Sequence, residues 1–138
     1  MPFWEYSASD RATGVANASL IAKQFYAVKA VANSTNPPSF NVDVQGAANA
    51  IYGILQDNPV SGQACCIQTG GITPVAISAS AGTITGGVTY LQVDGGAATG
   101  TLIPVAAGQP VALAVESLAT NTAIGIISAR LLPSAAAQ

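Results

Sequence analysis

Turn-forming residues break this chain at short, fairly even intervals, and that spacing limits its possible folds more than any other feature. Asn33-Ser34-Thr35-Asn36-Pro37-Pro38, Asp57-Asn58-Pro59 with Ser61-Gly62, Gly70-Gly71 and Asp94-Gly95-Gly96 are the clearest breaks. Each has a physical mechanism: Asp and Asn side chains bond nearby backbone, Pro fixes φ, and Gly turns the chain without steric cost. Between the breaks lie short runs in which apolar and polar residues alternate, the period of a β-strand.

The runs can be read one by one. Residues 19–31, "SLIAKQFYAVKAV", place Phe25, Ala27, Lys29 and Val31 on one face and Tyr26, Val28 and Ala30 on the other. A strand is expected there, with a helix as the rival reading because Leu20, Ile21 and Phe25 also suit a helical face. "FNVDV" points Phe40, Val42 and Val44 inward, with Asn41 and Asp43 outward. "AIYGILQ" is a strand with Gly53 inside it, which signals a bulge or a close backbone approach. "QACCIQT" and "ITPVAIS" follow, Pro74 marking the second as an edge or a bulge. "GTITGGVTYLQVDGG" alternates through Ile84, Val88 and Tyr90. The next run sets Val111, Leu113 and Val115 against Ala112, Ala114 and Glu116, and "TAIGIISARLLP" is the last strand. About eight short strands at roughly 8–15-residue spacing predict an all-β protein, a small barrel or a sandwich. No strict internal repeat and no linker is visible.

The first 18 residues do not fit the pattern. They hold Phe3, Trp4 and Tyr6, including the only Trp of the chain, and no sustained periodicity. They are expected to form an extended N-terminal arm. Aromatic side chains bury large areas at low entropic cost, so three in four positions suit docking on a partner. The expected organisation is therefore an arm (1–18), a single β domain (19–133) and a short tail (134–138).

Only 7% of the 138 residues are charged, against about 25% in an average soluble domain. The exterior must then be largely Ala, Thr, Ser, Gln and Gly, poorly protected against self-association. Either the chain is a low-charge monomer or much of its surface is covered in an assembly. The four basic residues, Arg11, Lys23, Lys29 and Arg130, form no stripe, so no nucleic-acid partner is expected. No apolar stretch is long enough to span a membrane as a helix. The start lacks the basic and apolar regions of a signal peptide, so synthesis in the cytoplasm without export by that route is expected.

Candidate chemistry is sparse. There is no histidine, which removes the common Ser-His and Cys-His arrangements and His-based zinc sites. Glu5, Asp10, Asp43, Asp57, Asp94 and Glu116 are scattered. No phosphate loop or dinucleotide fingerprint occurs. Cys65 and Cys66 are adjacent, and adjacent strand residues point to opposite faces. One thiol is expected in the core and the other outside, as packing residues rather than a redox pair. Two Asn-x-Ser/Thr matches, at Asn17 and Asn33, are read as chance. No enzyme activity, cofactor or metal is expected.

"YGILQDNPVSGQACCIQTGGITPVA" resembles a recurring element of phage capsid decoration proteins, also called head-stabilising or cement proteins. Those sequences often carry a "GVLQ…P…G" strand-turn-strand, then a glycine and a "T-x-V" strand. The matching pieces are Gly53 to Gln56, Pro59, Gly62, Gly71 to Val75, Ile84 to Gly95, and Val111 to Leu132. The resemblance implies a small β-barrel or β-tulip that trimerises on the outside of a mature icosahedral head. Such a protein sits at three-fold positions and clamps neighbouring major capsid subunits. Its localisation would be the virion. Phe3, Trp4 and Tyr6 would anchor the arm on the capsid, and truncation before Ala18 is expected to abolish binding while leaving a folded trimer. Ala112, Ala114, Ile124, Ile126 and Ile127 are candidates for the trimer interface, being small or apolar. The alternatives are another virion β-domain (tail, baseplate or fibre) or a carbohydrate-binding β-sandwich using Tyr52 and Tyr90.

Overall fold

The computed structural model describes residues 11–31, 40–96, 99–119 and 123–132. Alternating short runs and frequent turns produce ten strands and, among these residues, no helix. In chain order they are β1 (Arg11–Ala16), β2 (Ala27–Val31), β3 (Asn41–Val44), β4 (Gly53–Leu55), β5 (Ala64–Gln68), β6 (Ile72–Ile77), β7 (Tyr90–Val93), β8 (Leu102–Pro104), β9 (Ala112–Ala114) and β10 (Gly125–Leu131). They close into two five-stranded barrels, β1-β3-β2-β4-β5 and β10-β6-β8-β7-β9. The all-β expectation is met by a pair of barrels joined at Gly70-Gly71.

The two barrels have the same topology. β1 runs parallel to β3 and antiparallel to β5, as β6 runs parallel to β8 and antiparallel to β10. The remaining pairs, β2 with β3 and β4 and β4 with β5, are matched by β7 with β8 and β9 and β9 with β10. The registers also correspond. Val28 faces Val44 and Ala30 faces Val42, as Leu91 faces Pro104 and Val93 faces Leu102. Flanking hydrogen bonds repeat too. Leu55 N–H donates to the Tyr26 carbonyl (3.0 Å) as Ala114 N–H does to Thr89 (3.0 Å), and Gln45 N–H to Ala27 (3.0 Å) as Val105 N–H to Tyr90 (2.9 Å). The sequence hides this repeat because matched interior positions share hydrophobicity rather than identity: Ala16 with Ile77, Val28 with Leu91, Leu55 with Ala114, Ile67 with Ala129.

Interior packing follows the strand period. Ala16, Val28, Val42, Leu55, Cys65 and Ile67, with Leu20 from a loop, fill the first barrel. Val75, Ile77, Leu91, Val93, Leu102, Ala112, Ala114, Ile127 and Ala129 fill the second. Ala27 and Ile54, on the alternate face of β2 and β4, point out of the first barrel and join the second barrel's core, both fully buried. The second barrel's core thus extends onto the outer face of β2 and β4, while the interior of the first barrel forms a separate apolar cluster.

Several expectations need correction. Residues 11–16, assigned to the arm, are β1, lodged between β3 and β5 of the first barrel. Residues 19–31 are not one strand; only Ala27–Val31 are extended. Positive φ at Ala22 (66°) and Phe25 (71°), with turn bonds from Lys23 N–H to Leu20 and from Tyr26 N–H to Lys23, fold the preceding segment under the barrel. The run 82–96 is strand only from Tyr90. Ile84 instead forms an isolated bridge with Leu118, and the Val88 and Thr89 N–H groups both turn back onto Thr85. Pro74 is tolerated because β6 pairs with β8 only at Ile77, leaving its first half with a single neighbour.

Gly53 is a close-approach glycine. A Cβ there would press into the Gln68 carbonyl and lie 2.6 Å from Ile67 Cγ2. Gly53→Ala is expected to lower stability by about 1–3 kcal/mol through overpacking. Gly46→Ala, with open space around it, serves as the control. Chemical denaturation of the two variants side by side checks this; equal midpoints would contradict it.

Candidate functional surface

The described acidic side chains are engaged in holding backbone. Asp43 Oδ1 accepts from the Val44 N–H (2.8 Å), Asp94 Oδ1 from Gly96 (2.9 Å), Asp57 Oδ2 from Cys66 (3.2 Å) and Glu116 Oε1 from Ser128 (2.6 Å). These are turn and strand-end contacts of the kind that stabilise local backbone. Among the described residues, no group of three or more His, Cys, Asp or Glu could hold a metal ion.

The cysteines divide as strand alternation dictates. Cys65 points into the first barrel and Cys66 is half-buried on the outside, 3.9 Å from Arg11 Nη1. Both are free thiols. Burial, then the nearby Asp57 charge, push the Cys65 thiol above its ordinary value. Its thiolate fraction at pH 8 is correspondingly small, and thiolate is the reactive form. Alkylation at pH 8 is expected to modify Cys66 well before Cys65 in the folded protein, with both modified in denaturant. Peptide mapping distinguishes them, and equal rates in the folded state would be the contrary result.

The candidate interface residues are not brought together on one surface. Ala112, Ala114 and Ile127 lie in the second barrel's core and offer nothing to a partner. The narrow interior takes the small side chains, leaving Leu113 half-buried outside. Ile124 and Ile126 are exposed, 45% and 50%. Phe3, Trp4 and Tyr6 lie outside the described residues.

A different surface stands out. Thr89, Tyr90, Pro104, Val105 and Pro110 line an open, apolar groove of about 520 Å³ on the second barrel. Tyr90 is 50% exposed, and neighbouring Val88 is 68% exposed. β7 delivers Tyr90 at its first residue, and the prolines stiffen the connection from β8 to β9. Gln92 Oε1 fixes that connection by accepting from Ala106 N–H (2.9 Å) and Gly108 N–H (2.8 Å). The sequence reading missed the groove, since its lining comes from two connections, the start of β7 and the end of β8. The only local signals are Tyr90 beside Thr89 and the two prolines. Tyr52 lines a separate, small hollow and packs edge-on against Phe40 at 4.8 Å. The two tyrosines proposed for carbohydrate therefore sit in different hollows, and the groove's described lining has two side-chain hydroxyls, those of Thr89 and Tyr90.

No protein-family model matches the sequence, and no curated protein matches it. Among solved structures, the chain is similar to the head fibre gp8.5 N base of bacteriophage phi29. The TM-score is 0.61 at 13% identity, over 88% of this chain and 92% of that one. At that identity the likeness is one of fold, and it spans both barrels.

Proposed function

We propose that this chain is a structural protein of a phage virion, a non-catalytic decoration protein bound to the outside of the head. The observation that carries the reading is the fold shared over nearly its whole length with the base of a phage head fibre. The resemblance of residues 53–132 to decoration proteins points the same way. So do the low proportion of charged residues, the exposed apolar groove and the backbone N–H held by each described carboxylate.

In this reading the protein acts as a trimer at three-fold positions, and residues 1–10, with Phe3, Trp4 and Tyr6, contact the major capsid protein. Three arms per trimer raise the effective concentration of each contact. Binding the assembled lattice but not separated subunits stabilises the shell by mass action. Co-sedimentation with emptied mature heads is the test: stoichiometric pelleting and greater heat resistance of the heads are expected. Protein remaining in the supernatant is the contrary outcome. The head-fibre likeness favours one second reading, a base that seats a projecting fibre. Electron microscopy of decorated heads separates the two by whether density extends outward from the barrels.

A further inference from the structure

Residues that are buried between the two barrels have counterparts that are exposed. Ala27 and Ile54 of the first barrel lie fully covered by the second. Their register counterparts in the second barrel are Tyr90, 50% exposed, and Leu113, half-buried. The covering elements are β6 and the connections on either side of β8. Ala76 N–H donates to the Phe25 carbonyl (3.0 Å), Ala27 N–H to Gly100 (2.8 Å) and Gln109 N–H to Ala48 (2.9 Å). Gly100, at φ +88°, lies close against Tyr26 and Val44. Ala76 is fully buried in this junction, while its counterpart on β1, Val15, is part-exposed. The junction is thus head-to-tail: one barrel's β6 side covers the other's β2–β4 face. Among the described residues, one β7–β9 face and one β1 side remain uncovered.

We infer that the apolar β7–β9 face of the second barrel, with Tyr90, Val88 and Val105, receives the β1–β3 side of the first barrel of a second copy. The contact repeats between chains the one seen within the chain. It rests on the oligomeric half of the function proposed above and is independent of the capsid half. The groove fits such an occupant, being apolar, with an aromatic at its mouth, as contact cores are.

A head-to-tail contact makes rings if its rotation closes and filaments if it does not. Gly108 lies directly against Ala48, and each is the fourth residue after the end of its strand, β8 at Pro104 and β3 at Val44, so the two are counterpart positions counted from those ends. Counterpart points that touch must lie near the axis relating the barrels, with little translation along it. Copies added by the same operation gather around that axis rather than advance along it, and a ring is the expected assembly.

The test uses the full chain. Light scattering of the wild type is expected to give a closed oligomer, and Tyr90→Lys with Val105→Lys is expected to reduce it to the mass of one chain. Both sites are exposed, so circular dichroism and melting of the variant should match the wild type. A photo-crosslinking amino acid at Val88 is expected to yield covalent dimers, with crosslinks mapping to β1 or β3. An oligomer that survives both lysines, or crosslinks mapping elsewhere, overturns this interface while leaving the trimer standing. A wild-type monomer at all concentrations overturns the interface and the trimer together. An oligomer that dissociates as expected, but does not sediment with heads, supports the interface and removes the virion reading.

Discussion

Removing residues 1–17 is expected to unfold the first barrel, whereas removing residues 1–10 leaves both barrels folded. The difference is β1. Its ladder to β5 runs from Arg11↔Gln68 to Val15↔Ala64, and its parallel pairing to β3 adds Val15↔Asn41 and Ala16↔Val42. Without it, β3 and β5 become unpaired edges, and Cys65, Ile67 and Val42 lose their cover. Domains of this kind hold about 5–15 kcal/mol in total, and loss of one strand in five is expected to exceed that margin. Circular dichroism and Cys65 alkylation read the outcome: Cys65 stays protected without residues 1–10 and becomes reactive without 1–17. Truncation before Ala18 therefore cannot test the arm, since it destroys the domain that carries it. The shorter deletion can. Under the proposed function it abolishes co-sedimentation with heads while the barrels stay folded, and normal decoration by that variant would remove the arm from the mechanism.

The second large effect is expected at the junction of the two barrels. Ile54 is fully buried and reaches from β4 into the second barrel. Ile54→Ala removes apolar contact and leaves a cavity between two closed barrels that have little freedom to collapse on it. Such truncations cost about 2–5 kcal/mol. Because Ile54 belongs to β4 of the first barrel and packs in the core of the second, unfolding should remain one transition with a lower midpoint. Thermal melting followed by far-ultraviolet dichroism, and alkylation of Cys65 during the melt, should report the same shift. Two separated transitions, with the variant moving only one, would mean that the barrels are energetically independent.

Much of the fold was legible in the residues. The breaks at 57–62, 70–71 and 94–96 fall between strands, because Asn, Asp, Pro and Gly turn the chain through local geometry alone. The inward set Phe40, Val42 and Val44 packs on the first barrel's core, and Gly53 is a close approach. The split of Cys65 from Cys66 also follows from a period of two.

Local chemistry could not settle where an extended segment pairs. β1 reads as irregular because Arg11-Ala12-Thr13-Gly14 has little hydrophobic alternation; its partners, β3 and β5, supply the ladder. Segment 19–26 has apolar residues at strand spacing, yet Leu20 is buried by a turn. The interface candidates show the same limit: small residues in a strand can face a partner or a narrow barrel interior, and here Ala112 and Ala114 face inward. The sequence by itself determined strand propensity, turn positions and the side-chain period, because these depend on a few neighbouring residues. Only the tertiary structure decided the doubled barrel, the buried junction between the barrels and the open groove at Tyr90, because strand pairing and burial depend on contacts between residues far apart in the chain.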